Sequence, residues 1–157
     1  MRKTLLITLV ALTLFGCNKK NIFEEERSFE GDKWNRFTPE VFEIDINNTE
    51  KYYNIFVEVA VDTGRYRYTS LPLTVNLYSP NSERRMFYAE VPLTENGRPK
   101  GEMAEGYRVS SKRIRNYFSF NSKGKHRMEI GQATSQYDLE GVHRITLRIE
   151  DAPIEIE

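Results

Sequence analysis

The sequence predicts an all-β domain, an antiparallel two-sheet β-sandwich of jelly-roll or immunoglobulin-like type with seven to eight strands. Three observations lead there. Apolar side chains recur at every second position in several segments, the spacing that gives a strand one buried face. Clusters of Asn, Asp, Gly, Ser and Pro separate those segments as turns. From Trp34 onward no stretch of ten or more residues keeps a helical period. One apolar face per strand is what two sheets stacked across a single core require. There is no internal repeat of fixed period, which argues against a solenoid or propeller.

The chain opens differently. Met1, Arg2 and Lys3 form a positive start, and an uncharged apolar stretch runs from Leu5 to Phe15. This is the pattern of a secretory signal. It is too short to span a bilayer, which takes about 20 apolar residues. It ends Leu14-Phe15-Gly16-Cys17, similar to the bacterial lipobox, with a small residue before a cysteine. A thiol is the nucleophile needed for a thioether to diacylglycerol. Cys17 is the only cysteine, so no intramolecular disulfide can form. Residues 1–16 are therefore expected to be a lipoprotein signal peptide. Cys17 is expected to be the lipid attachment site, carrying a diacylglycerol thioether and an N-acyl chain. Two or more chains hold a protein stably on a membrane.

Removing residues 1–16 takes away two of the 23 basic residues, Arg2 and Lys3, and none of the 23 acidic ones. The remainder carries 21 basic against 23 acidic side chains, close to neutral. Nothing in that balance draws the protein to nucleic acid. The length suits one domain able to bury roughly two-thirds of its unfolded surface without disulfides. Residues 17–33 are polar and charged, with Lys19, Lys20 and Glu24-Glu25-Glu26-Arg27, and are expected to be the lipidated N-terminus and a tether. The domain is expected over 34–157.

The strands follow in order. Val41–Ile46 alternates weakly. Tyr53, Ile55, Val57, Val59 and Val61 make the clearest apolar face. Leu71, Leu73, Val75 and Leu77 make the next, with Pro72 marking a strand start or an edge. Arg85–Leu93, Ile114–Phe120 and His126–Ile130 show weaker alternation. His143, Ile145, Leu147 and Ile149 close the set. Between them lie Asn47-Asn48, Asp62-Thr63-Gly64, Ser79–Ser82, Glu95-Asn96-Gly97 and Asn121–Gly124. Arg113–Tyr117 could form a helical turn, but its aromatics suit a strand.

Catalytic chemistry is hard to place. His126 and His143 lie on separate strands without ligand-spaced partners, and no HxH, HExxH or CxxC occurs. No nucleophile elbow, Walker or Rossmann glycine pattern is present. Glu43, Asp45, Glu58, Asp62, Glu90 and Glu95 mostly alternate with apolar strand residues, as a solvated sheet face does. No catalytic residue, metal or cofactor beyond the covalent lipid is expected. The segment Arg65-Tyr66-Arg67-Tyr68 stands out, with tyrosines and arginines interleaved beside a glycine turn. Those residue types supply much of the binding energy at interfaces. They form the candidate interaction surface, against the alternative that the tyrosines pack on their own sheet. Trp34, the only tryptophan, is read as a core residue rather than a platform.

Taken in order, these features resemble the GldH family, lipoproteins named for gliding motility in Bacteroidetes. The likeness rests on the lipobox, Trp34 before the first strand, the strand Tyr52–Val61 and the turn Arg65–Tyr68 leading into Leu71–Tyr78. It also rests on Asn96–Gly101 and on the closing segment Tyr137–Glu150. The resemblance implies a non-enzymatic accessory lipoprotein of the cell envelope, acting with motility or secretion machinery through an envelope protein partner. Asn18, Lys19 and Lys20 replace the acidic cluster beside the cysteine that marks surface export in this phylum, and no Asp stands at position 18. The expected location is the outer membrane, facing the periplasm. A second expectation is a glycan-binding sandwich, for which Trp34, Tyr66, Tyr68 and Tyr107 would lie flat on one surface. An enzyme, requiring two convergent carboxylates in a pocket, ranks third.

Overall fold

The computed structural model describes residues 21–153 and, over them, an all-β protein with antiparallel sheets. Cys17 and the signal segment lie outside the described residues. Strand β1 (Asn21–Ser28) leads through a short 3-10 turn (Glu30–Asp32) into β2 (Lys33–Asn35). Then come β3 (Glu40–Ile46), β4 (Tyr52–Val61), β5 (Ser70–Tyr78) and β6 (Arg84–Pro92). Short strands β7 (Thr94–Glu95), β8 (Arg98–Pro99) and β9 (Glu102–Ala104) precede β10 (Tyr107–Phe118). The last described strands are β11 (Gly124–Gln132), β12 (Asp138–Glu140) and β13 (Val142–Ala152).

A five-stranded sheet has the order β1-β13-β4-β10-β9 and a four-stranded sheet the order β3-β11-β5-β6. Their inner faces share one core. Ile55, Val57 and Val59 of β4 and Ile145, Leu147 and Ile149 of β13 come from one sheet. Phe42 and Ile44 of β3, Leu71, Leu73 and Val75 of β5, and Met128 and Ile130 of β11 come from the other. All of these are fully buried, because residues two apart on a strand point the same way. Burying one such side chain contributes roughly 1.5–3 kcal/mol.

The seven main strands expected from alternation are present. The count of seven to eight is not: among the described residues there are thirteen strands in four sheets. The extra ones are short or lie at edges. Strands β2 and β12 pair as one ribbon, with Trp34 opposite Leu139, and β7 and β8 pair as another. A ribbon of two or three residues per strand shows no periodicity to read.

The boundary at residue 34 also moves. The tether expected over 17–33 gives way at Asn21 to β1, which pairs with β13 from Asn21 opposite Glu150 to Ser28 opposite Arg144. The physical reason is that β1 is an edge strand with few apolar contacts to make. Phe23 meets Phe42 edge-on at 6.4 Å. Arg27 closes the rim between the sheets: its guanidinium lies 4.7 Å from the Phe42 ring and donates to the Val41 carbonyl at 2.9 Å. Glu24 to Arg27 are thus the charged covering of an edge, as edges require.

Register gives the sandwich two distinct ends. Tyr52, Tyr53, Phe118 and Ala152 lie at one end of the large sheet, with Asn21 close by, opposite Glu150. The turns 47–51, 79–83 and 119–123 close that end, which we call the base. Tyr53 donates to the Asn48 carbonyl there at 2.6 Å, and Asn121 to Glu83 at 2.8 Å. Ser28, Val61, Arg108 and Val142 lie at the opposite, distal end. The loops 29–39, 62–69, 93–106 and 133–141 are gathered there.

Candidate interaction surface

The distal loops are held by a hub at Asp32. Gly31 and Asp32 both take positive φ, 62° and 54°, a conformation that favours Gly, Asn and Asp. The turn so formed offers the Asp32 carbonyl to the amide of Gly141 at 2.8 Å. It aims the carboxylate at the loop 62–69 and at the first residues of β10 and β13. Nδ1 of His143 donates to Oδ1 at 2.7 Å, and Arg65 and the Tyr107 hydroxyl each approach Oδ2 at 3.5 Å. Arg65 also donates to the Gly31 carbonyl at 3.1 Å. The Tyr107 ring stacks flat on His143, 3.9 Å between centroids. Desolvation and the Asp32 charge raise the Tyr107 pKa above the ordinary tyrosine value.

His143 reaches this hub because of a bulge. Val142 opposes Val61 and Arg144 opposes Ala60, so β13 uses one extra residue where β4 advances by one. The bulge takes His143 out of the face shared by Ile145, Leu147 and Ile149, where alternation had put it. His126, by contrast, is fully buried near the base. Its Nδ1 donates to the Gly124 carbonyl at 3.1 Å and its ring meets Phe120 edge-on. Burial lowers its pKa below the usual histidine value. The two histidines therefore lie at opposite ends of the sandwich.

The segment Arg65–Tyr68 divides into two halves. Asp62 folds the turn: its carboxylate accepts from the Gly64 amide at 2.8 Å, and its carbonyl accepts from Arg65 and Tyr66 at 3.1 and 2.8 Å. Arg65 is tied to the hub. Tyr66 is buried, its hydroxyl donating to the Ser70 carbonyl at 2.8 Å. Burial pushes that hydroxyl's pKa well up. Gly141 makes room for it, since a Cβ on residue 141 would stand 2.5 Å from the Tyr66 nitrogen. Arg67 and Tyr68 remain exposed, with Tyr68 resting edge-on against Tyr66 at 5.6 Å. Tyr66 is the buried member of the segment, Arg65 is half-buried, and Arg67 and Tyr68 are presented to solvent. A shallow cleft beside it is lined by Thr63, Tyr66, Tyr68, Leu93, Pro99 and Arg108.

A second exposed feature escaped the sequence. Phe37 and Tyr137 are 67% and 68% exposed, yet they pack on each other at 5.4 Å. The backbone beneath them is pinned. Arg36 donates its amide to the Tyr137 carbonyl at 2.8 Å, and Asn35 donates to Asp138 at 2.8 Å while accepting from the Phe37 amide at 2.9 Å. Trp34 anchors the ribbon from inside, 1% exposed and stacked on Phe29 at 4.7 Å. Rigid exposed rings lose little entropy on binding, which makes them good contact residues. One hundred residues separate the two rings, and nothing local in the sequence pairs them.

The flat platform of Trp34, Tyr66, Tyr68 and Tyr107 does not form. Trp34 and Tyr66 are in the core, and one face of Tyr107 is covered by His143. Several of the candidate acids are engaged in ordinary surface pairs, Glu43 with Lys125 and Glu95 with Lys100, both at 3.0 Å. Among the described residues no group of three or more His, Cys, Asp or Glu side chains is placed to hold a metal ion. No helix of the described residues is long and apolar enough to cross a membrane.

What this geometry defines is an all-β domain with a rigid, loop-built end that displays aromatic and arginine side chains. Residues 21–149 match the family model for the GldH lipoprotein, and the chain belongs to that family. It is 27% identical over 154 residues to the gliding motility lipoprotein GldH of Flavobacterium johnsoniae, covering 92% of this chain and 94% of that one. No solved structure matches. The family expected from the lipobox and the closing strand is thus the family found.

Proposed function

We propose that this protein is an accessory lipoprotein of the cell envelope, anchored through lipid on Cys17 and acting by protein–protein contact at its distal end. It sits in the outer membrane facing the periplasm, serves motility or secretion machinery, and catalyses no reaction of its own. The observation that carries the contact reading is the pair of exposed aromatic groups, Arg67-Tyr68 and Phe37/Tyr137, on loops held fixed by internal hydrogen bonds. Loops that merely connect strands have no need of such exposed rings. The family supports the anchor, since its members are lipoproteins and Cys17 is the sole thiol.

The test compares the wild type, Cys17→Ser and the double variant Arg67→Ala/Tyr68→Ala after crosslinking in the native envelope. The wild type should fractionate with the outer membrane and enrich one discrete envelope protein. Cys17→Ser should leave the membrane fraction. The double variant should stay in the membrane and lose the enriched protein. Wild type that enriches no protein but carries down glycan would overturn the protein-contact reading in favour of a glycan-binding one.

A further inference from the structure

We infer that the base of the sandwich rests on the headgroups of the membrane that holds Cys17, so that the distal loops point away from it. This rests on the proposed lipid anchor and adds an orientation to it. The first observation is the length of chain between anchor and fold. Only three residues, Asn18, Lys19 and Lys20, separate Cys17 from β1. Whatever their conformation, four steps of extended chain reach at most about 14 Å. The second observation is where β1 begins. Asn21 lies opposite Glu150, which pairs with Asn54, two residues from the end of the sheet at Tyr52 and Ala152, so the chain leaves the anchor at the base and not at the distal loops. β1 then climbs the edge of the sheet to Ser28.

The third observation is what the base displays. Ile22, Tyr52 and Tyr117 are among the exposed apolar side chains, at 37%, 39% and 51%, and all three belong to the base end of their strands. Tyrosine suits a boundary where its ring meets an apolar layer and its hydroxyl stays wet. β13 runs from one end to the other in eleven residues, a rise of about 35 Å at about 3.3 Å per residue. A leash of about 14 Å cannot invert a body of that length, because the anchored end of β1 would have to lift clear of the surface. Connectivity excludes the inverted orientation, and the exposed tyrosines give the base a surface suited to the headgroups in the upright one.

The experiment uses the full lipidated chain in vesicles of phosphatidylethanolamine and phosphatidylglycerol, with a fraction of lipid carrying a nitroxide on its headgroup. Cys17 is consumed by lipid, so one added cysteine takes a fluorophore uniquely. Lys123→Cys labels the base and Ser135→Cys the distal end; both positions are exposed. Protein that fails to float with the vesicles would overturn the anchor and the orientation together. In floating protein, the Lys123→Cys label should lose most of its emission and the Ser135→Cys label should keep it. Equal quenching of both, stronger quenching of the distal label, or quenching of neither would overturn the orientation and leave the anchor standing. A 30-residue Gly-Ser insert before Asn21, spanning about 30 Å, should restore the base label's emission; unchanged quenching would also contradict a leash-imposed orientation.

Discussion

Nδ1 of His143 lies 2.7 Å from Oδ1 of Asp32, joining two residues 111 positions apart and fixing the turn after β1 to the start of β13. The same carboxylate faces Arg65 and Tyr107, so one side chain ties its own turn to the loop 62–69 and to the starts of β10 and β13. Replacing it should be felt at all of them. Asp32→Ala removes an acceptor that is itself largely shielded and leaves His143 Nδ1 unpartnered. A cost of about 1–3 kcal/mol is expected, read as a lower urea midpoint with unchanged slope. Asp32→Asn keeps an acceptor oxygen and tolerates the positive φ, so it should cost less.

Gly141 tests the close approach of two loops. Its φ is +85°, and a Cβ there would meet Tyr66 at 2.5 Å from the nitrogen and 2.9 Å from Cα. Gly141→Ala combines backbone strain with overpacking against main chain, and should destabilise by about 3 kcal/mol or more. Gly106 has a nearly equal φ of +86° with nothing within 4 Å. Gly106→Ala should therefore show the strain alone, about 1–2 kcal/mol. Equal thermal shifts for the two would contradict the packing seen at Tyr66.

Tyr66 and Tyr68 should separate stability from contact. Tyr66→Phe loses a hydroxyl that donates to the half-buried Ser70 carbonyl, and should cost about 1 kcal/mol while leaving the exposed surface intact. Arg67→Ala/Tyr68→Ala should leave the unfolding midpoint within about 0.5 kcal/mol of wild type, as substitutions of exposed residues usually do. Partner capture should follow the second change and not the first.

His126 predicts a pH dependence. Burial, with help from the Arg85 charge, holds its pKa below the ordinary value of 6.5; the Gly124 carbonyl and Glu83 act in the opposite sense. The unfolded chain therefore binds a proton at a pH where the folded one does not. Stability from this group is complete above about 6.5 and falls as pH drops through that value towards the folded pKa. Urea midpoints at pH 7.5 and 5.5 should differ more for the wild type than for His126→Leu. The same difference in both proteins would show that the buried imidazole does not titrate in this way.

How much could be read from the chain depended on how local each signal was. β4, β5 and β13 were legible because one face of each is buried along most of its length, as at Ile55, Leu73 and Leu147. β1 was not, because an edge strand closed by Arg27 and Glu25 carries the composition of a linker. The β2/β12 ribbon was illegible for another reason: Trp34 and Leu139 meet across 105 positions, and each strand is three residues long. Arg65–Tyr68 was picked out by residue type, yet burial splits it after Tyr66. The Phe37/Tyr137 pair and the Asp32 hub are products of topology, assembled from loops that the sequence lists far apart.

The most direct test of a distal contact surface is photo-crosslinking in intact cells, with a photoreactive amino acid at Tyr68, at Tyr137 or at Lys123 of the lipidated protein. A single crosslinked envelope protein, captured from Tyr68 and Tyr137 and absent from Lys123, is the predicted result. Crosslinks from Lys123 with none from the two distal positions would contradict the account.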